Sequence, residues 1–131
     1  MIDTTALPLS SLHEKLGIEI TWVSATEVVG SMPVTGNTQP AGLLHGGATA
    51  ALIEGLASLA AWLHAHPERV AVGVDLNVTH LRPVTSGKVT GRAVPVRLGN
   101  GTVVHTVDVH DDEGRLTATG RLTSQLVAPK K

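Results

Sequence analysis

The stretch Ala48 to His64, ATAALIEGLASLAAWLH, holds one ionisable residue, Glu54, before its terminal histidine. Apolar side chains recur around it at helical spacing on every side, and a helix that is apolar all round must be buried in protein or lipid. A membrane span over Ala41 to Leu63 would be long enough, but it would set Glu54 near the bilayer centre, and its small side chains give weak transfer energy. A protein core is therefore expected around it. One such helix on a flat sheet would leave a side wet, so the sheet has to curl around the helix.

Outward from the helix the hydrophobic period changes from helical to two. After Pro67, residues Val70, Val72, Val74, Leu76, Val78 and His80 fall on one face of a long strand ending at Pro83. Three further strands, Lys88–Leu98, Thr102–His110 and Arg115–Val127, are separated by Gly99-Asn100-Gly101 and by Asp111-Asp112-Glu113-Gly114, both strong hairpin turns. The last four strands are expected to form an antiparallel meander. Upstream, Leu9 to Leu16 reads as a short helix capped by Ser10 or Ser11, followed by strands Ile18–Val23 and Glu27–Val34 with Ser24-Ala25-Thr26 as their turn. Thr35 to Gly42, rich in Gly, Asn, Pro and Thr, is a loop. The order is α+β in one domain over residues 1–131, with 127–131 expected as a flexible tail.

The composition narrows the function classes. The chain has 131 residues, 42% of them hydrophobic, supplied by Ala, Val and Leu with two Trp and no Phe or Tyr. Ring stacking has little to work with. Ten basic and eleven acidic residues give a net charge of -1, so no global field draws polyanions and nucleic acid is not an expected partner. With no cysteine there is no disulfide framework and no thiolate chemistry. The N-terminus lacks the basic-then-apolar pattern of a secretory leader, which points to a cytoplasmic protein.

A carboxylate in an apolar helix is costly to ionise, because loss of water raises its pKa. A structural hydrogen bond to a loop is one explanation of Glu54; catalysis is the other. Ser58, four residues on, shares its face. Gly46 and Gly47 fall where the helix would begin, and free N–H groups there, with the helix dipole, could polarise a substrate carbonyl. Paired glycines also make ordinary tight turns. His13-Glu14 lacks the second histidine of a zinc-protease helix, His64-x-His66 suits a helix end, and His105 and His110 lie on opposite strand faces, so no metal site is expected.

The run Gln39-Pro40-x-Gly42-Leu43-Leu44-His45-Gly46-Gly47-Ala48, with Glu54 nine residues after His45, resembles the hotdog-fold thioesterases of the phenylacetate-pathway (PaaI) and Arthrobacter-type 4-hydroxybenzoyl-CoA thioesterase group. Asn77-x-x-His80-x-Arg82, Leu98-Gly99 and Asp112-Glu113-Gly114-Arg115-Leu116 make it especially similar to the branch that hydrolyses 1,4-dihydroxy-2-naphthoyl-CoA. The resemblance implies hydrolysis of an aryl- or hydroxyaryl-CoA thioester without cofactor. Glu54 would be the nucleophile or the base that activates water, and Gly46 N–H the oxyanion donor. His45 and Gln39 would orient the thioester, Ser58 would support Glu54 or the water, and His80 would come from the partner subunit's side. The resemblance further places CoA near Gly73, near His80, Leu81, Arg82 and Pro83, and near the hairpin Arg97, Leu98, Gly99, Asn100, Gly101 and Thr102. Arg82 and Arg97 could pair with phosphate. A homodimer with shared sites is implied, and from it a homotetramer. Leu43, Leu56, Leu59 and Trp62 are expected around the acyl group. A hotdog-fold hydratase-dehydratase and a non-enzymatic acyl-CoA-binding module are the alternatives; a sensor would be expected to carry a DNA-binding segment.

Overall fold

The computed structural model describes Leu7 and residues 10–130. Its elements are α1 (Ser11–Leu16), β1 (Glu19–Val23), β2 (Val28–Pro33), α2 (Gly46–Ala65), β3 (Val70–His80), β4 (Lys88–Leu98), β5 (Thr102–Asp111) and β6 (Leu116–Val127). Ser10 caps α1 by accepting the His13 N–H at 3.1 Å, and Gly17, at φ 75°, closes it in the left-handed conformation a side chain would resist. The start expected at Leu9 lies outside the described residues. At the other end Val127 is the last residue of β6, paired with Val70, rather than the first of a tail.

All six strands join one antiparallel sheet in the order β1-β2-β4-β5-β6-β3. The expected meander therefore holds only for β4, β5 and β6. β3 crosses to the far edge and pairs with β6, while β2 takes the position beside β4. The reason lies in the connection: residues 81–87 contain Pro83 and are too long for the two-residue turn that would fold β3 back on β4. A second correction concerns the faces of β3. Its register against β6 slips between Gly73 and Asp75, leaving Val74 as a bulge. A bulge reverses the alternation, so Leu76 and Val78 turn toward α2 while Val70, Val72 and Val74 stay exposed.

α2 lies in the concave side of the sheet, packed on β2 through β6. Leu52, Ile53 and Leu56 are fully buried. Gly30 and Gly91 face each other across β2 and β4, and a Cβ on either would meet a Leu56 methyl at 2.7 Å. Leu56 fills the space those two missing side chains leave. It belongs to the core, not to an acyl pocket. The sheet does curl, but it does not close: the edges β1 and β3 leave one side of α2 uncovered, where Ala51, Glu54, Ser58 and Trp62 lie at three- and four-residue steps. Glu54 is consequently exposed in this chain, against the expectation of burial. By length and apolar content α2 could cross a membrane, but its apolar face is taken up by the sheet.

Candidate active site

The loop before α2 is tied into place before the helix begins. Asn37 donates from its side-chain amide to Leu16 O at 2.7 Å and Pro33 O at 2.9 Å, and its own carbonyl accepts the His45 N–H at 2.8 Å. Leu44 N–H bonds Val84 O at 2.8 Å. At the start of α2, His45 is the cap: its Nδ1 accepts the Gly47 N–H at 2.8 Å, which leaves the ring proton on Nε2. Its carbonyl accepts from Ala48 and Thr49. The amide of Gly46, between His45 and Gly47, has no acceptor among the described residues, and Gly46 lines a cleft of about 420 Å³. An unpaired N–H at the positive end of a twenty-residue helix is an anion-stabilising point.

The same cleft is lined by Gln39, Leu43, His80, Leu81, Arg82 and Pro83. Gln39 spends its Oε1 on the Ala41 N–H and its backbone on Leu43 and Gly42, which fixes the loop and leaves its side-chain NH₂ as donor. His80 packs over the helix start: a Cβ on Gly46 would meet its Nε2 at 3.0 Å. His80 and the Gly46 it covers lie in one chain, at a different cleft from that chain's own Glu54. The β3 bulge produces this, by turning the end of the strand toward α2. Thr49, Val84 and Thr117 also line the cleft and were not anticipated, because their contact with it depends on the crossing of β3 to the far edge.

Glu54 opens onto a different groove, of about 410 Å³, with Ser58, Leu59, Trp62, Ala71 and, from α1, His13. Its Oε2 lies 3.0 Å from where a Cβ on Gly73 would stand, so Gly73 makes room for the carboxylate. Glu54 lies eight residue steps along the helix from Gly46, roughly 12 Å along the axis. The expected residues thus divide. Gln39, His45, Gly46 and His80 to Pro83 gather at one end of α2, with Glu54, Ser58 and Gly73 along its open side. The Arg97–Thr102 hairpin sits at the opposite end, where His64 Nε2 contacts Gly99 O at 3.2 Å and Asn100 shares a cleft with Glu68 and Arg69. One chain does not bring that hairpin to Arg82. Of the expected acyl-lining residues, Leu59 and Trp62 are in the Glu54 groove and Leu43 in the Gly46 cleft.

Residues 41–118 match the family model described as the thioesterase superfamily. The chain is 47% identical over 108 residues to the proofreading thioesterase EntH of Klebsiella pneumoniae, covering 82% of this chain and 79% of that protein. The crystal structure of a thioesterase from Haemophilus influenzae superposes with a TM-score of 0.87 at 41% identity, over 90% of this chain and 83% of the other. A Staphylococcus aureus protein, at 32% identity and a TM-score of 0.86 over 90% of this chain and 99% of its own, has been crystallised with a glutamate replaced by alanine. A second structure of it replaces a glutamine, and the two positions are 15 residues apart, as Gln39 and Glu54 are here. By sequence and by its six-stranded sheet around a long central helix, the chain belongs to the thioesterase superfamily and has the hotdog fold.

Proposed function

We propose that this chain is a cytoplasmic acyl-CoA thioesterase acting on aryl- or hydroxyaryl-CoA thioesters, with each active site shared between two copies. The observation that carries the proposal is the separation on α2. A free amide at Gly46 and a carboxylate at Glu54 face two clefts roughly 12 Å apart along the axis, too far for one thioester carbonyl to meet both in a single chain. A second copy set antiparallel along the exposed edge of β3 would bring its Glu54 to the first copy's Gly46. The same operation would bring its Arg97–Thr102 hairpin toward the cleft that holds Arg82. Exposed Val70, Val72 and Val74 on that edge strand support such a pairing. Association of two such dimers would give the tetramer.

The chemistry suits a thioester. Gly46 N–H donates to the carbonyl oxygen as negative charge develops there, and Gln39 and His45 hold the loop that presents it. Glu54 attacks the carbonyl carbon or takes a proton from the water that does, with Ser58 one turn away to hold either. The CoA thiolate is a good leaving group, so the reaction needs no metal or cofactor. Arg82 of one copy, with His80, Leu81 and Pro83, and Arg97 of the other, with Leu98 to Thr102, would pair with the CoA phosphates in such a dimer. A His45–Glu54 dehydratase dyad is disfavoured, because His45 Nδ1 is already committed to the Gly47 amide. Within the superfamily the 1,4-dihydroxy-2-naphthoyl-CoA branch remains the favoured assignment, supported by Asn77, His80 and Arg82 and by the Asp112 to Leu116 turn.

The test is thiol release from a panel of acyl-CoAs. Aryl-CoA esters should be turned over, and Glu54→Ala should lower kcat by at least ~10³-fold while leaving the thermal midpoint within a few degrees, since Glu54 is exposed and has no ion pair among the described residues. Full activity in Glu54→Ala would sink the proposal, and so would a stable monomer that hydrolyses the esters.

A further inference from the structure

The Glu54 groove contains a group that the chemistry above does not use. On the β3 side of the open face of α2, Glu54 leans on Gly73; on the α1 side, His13 reaches the helix at Gly55. A Cβ on Gly55 would meet His13 Nε2 at 2.3 Å and Cε1 at 2.7 Å, distances no side chain tolerates, so the ring occupies the place where a residue 55 side chain would stand. The remaining lining is mostly apolar, from Leu12, Ile20, Ala51, Leu59, Trp62 and Ala71. Within it the ring is half-buried, and among the described residues no hydrogen bond or ion pair engages its side chain; none joins it to Glu54. Burial holds its pKa below the ordinary 6.5. At neutral pH the ring is therefore uncharged, with one N–H donor and one acceptor nitrogen.

We infer that His13 is a specificity-determining residue of this groove, hydrogen-bonding a polar substituent on the acyl group whose thioester Glu54 processes, and that residue 55 is glycine to admit it. The inference rests on the thioesterase reading above. An uncharged donor–acceptor in an apolar groove costs little against an acyl group that bonds it and is left unsatisfied by one that cannot, which is how a site discriminates a hydroxyl from its absence. His13 is not placed to act on the carbonyl carbon. It lies on the side of α2 away from Gly73, where the carboxylate rests.

The experiment compares kcat/KM for benzoyl-CoA with those for 2-, 3- and 4-hydroxybenzoyl-CoA. The wild-type protein should prefer one hydroxylated ester, and His13→Leu should reduce that preference by about tenfold, the worth of one neutral hydrogen bond in a partly open site. His13→Gln, which keeps a donor and an acceptor, should retain much of it. Gly55→Ala should reproduce His13→Leu with the histidine still present, because the new methyl displaces the ring. Thermal melts identify any variant that has lost its fold, and either of the two routes suffices to read the ratio. A wild-type protein with no such preference, or a preference that survives both His13→Leu and Gly55→Ala, overturns the inference. Equilibrium binding of the same esters separates the two levels. If no ester is hydrolysed the thioesterase reading fails, while the ratio of Kd values, wild type against His13→Leu, still decides the role of His13.

Discussion

The two clefts on α2 are built in opposite ways. At the helix start most polar groups are spoken for: Asn37 holds Leu16, Pro33 and His45, Leu44 bonds Val84, Gln39 ties its own loop and His45 caps the helix, while Gly46 N–H is left free among the described residues. Along the open side of the same helix little is held. Glu54 has no ion pair among the described residues, and the groove around it is bounded by a six-residue helix and an edge strand. The first cleft is a preorganised donor of the kind that stabilises developing charge without rearranging. The second presents a reactive group to whatever arrives. The contrast indicates that rigidity is concentrated at the helix start, while the carboxylate lies on an open face of this chain.

The sharpest way to break this division is to disable each cleft separately. Gly46→Val, whose side chain meets the His80 ring and screens the amide, and Glu54→Ala should each be inactive alone. Refolded together in equal amounts, they should recover roughly a quarter of wild-type activity, since half the dimers are mixed and each mixed dimer has one intact site. No recovery would place both groups in one chain's site. A second measurement separates the open side of α2 from its sheet side. Leu56→Ala removes the side chain lodged between Gly30 and Gly91 and should cost about 2–5 kcal/mol in urea unfolding, unlike Glu54→Ala two residues away on the exposed face of the helix.

The smallest expected effect is at the other end of the helix, where His105 is 3% exposed and its Nδ1 has no hydrogen-bond partner among the described residues. Burial, and then the neighbouring His64, hold its pKa below 6.5 in the fold. The unfolded chain therefore binds the proton first as the solution is acidified. The stability tied to this ring is fully present above about pH 6.5 and is lost as pH falls through the lower, folded pKa. Denaturation midpoints measured from pH 7.5 to 5 should fall, and His105→Leu should flatten that decline. A decline of equal slope in His105→Leu would assign it to other groups.

Much of this was readable from residue order. The period-two runs and the Gly-Asn-Gly and Asp-Asp-Glu-Gly turns mark β4 to β6 to within a residue or two, and the Ser10-Ser11 pair holds the cap of α1, which the structure assigns to Ser10. The unbroken apolar run marks α2, and the Gly46–Gly47 pair marks its start. What was misread has a common origin. Period two assigned Val70 to Val78 to one face, because a bulge at Val74 leaves no trace in an alternating pattern. Apolar residues on all sides of α2 suggest complete burial, because hydropathy does not distinguish a small alanine on an open groove from one facing a sheet. The sequence assigns His13 no partner, because its neighbour, Gly55, lies 42 residues away.

By itself, the sequence determined that a long apolar helix would be wrapped by an antiparallel sheet, that the helix would begin at a free glycine amide, and that Glu54 would be the carboxylate on it. These follow from local periodicity and from residue chemistry, which need no knowledge of what lies across the fold. Tertiary structure alone decided which strand ends at the sheet edge, which side of the helix stays open, and that Gly46 and Glu54 face separate clefts. Those outcomes depend on pairings between distant segments. Such pairings are settled by loop length, by register and by the space glycines leave, and a pattern read along one chain does not contain them.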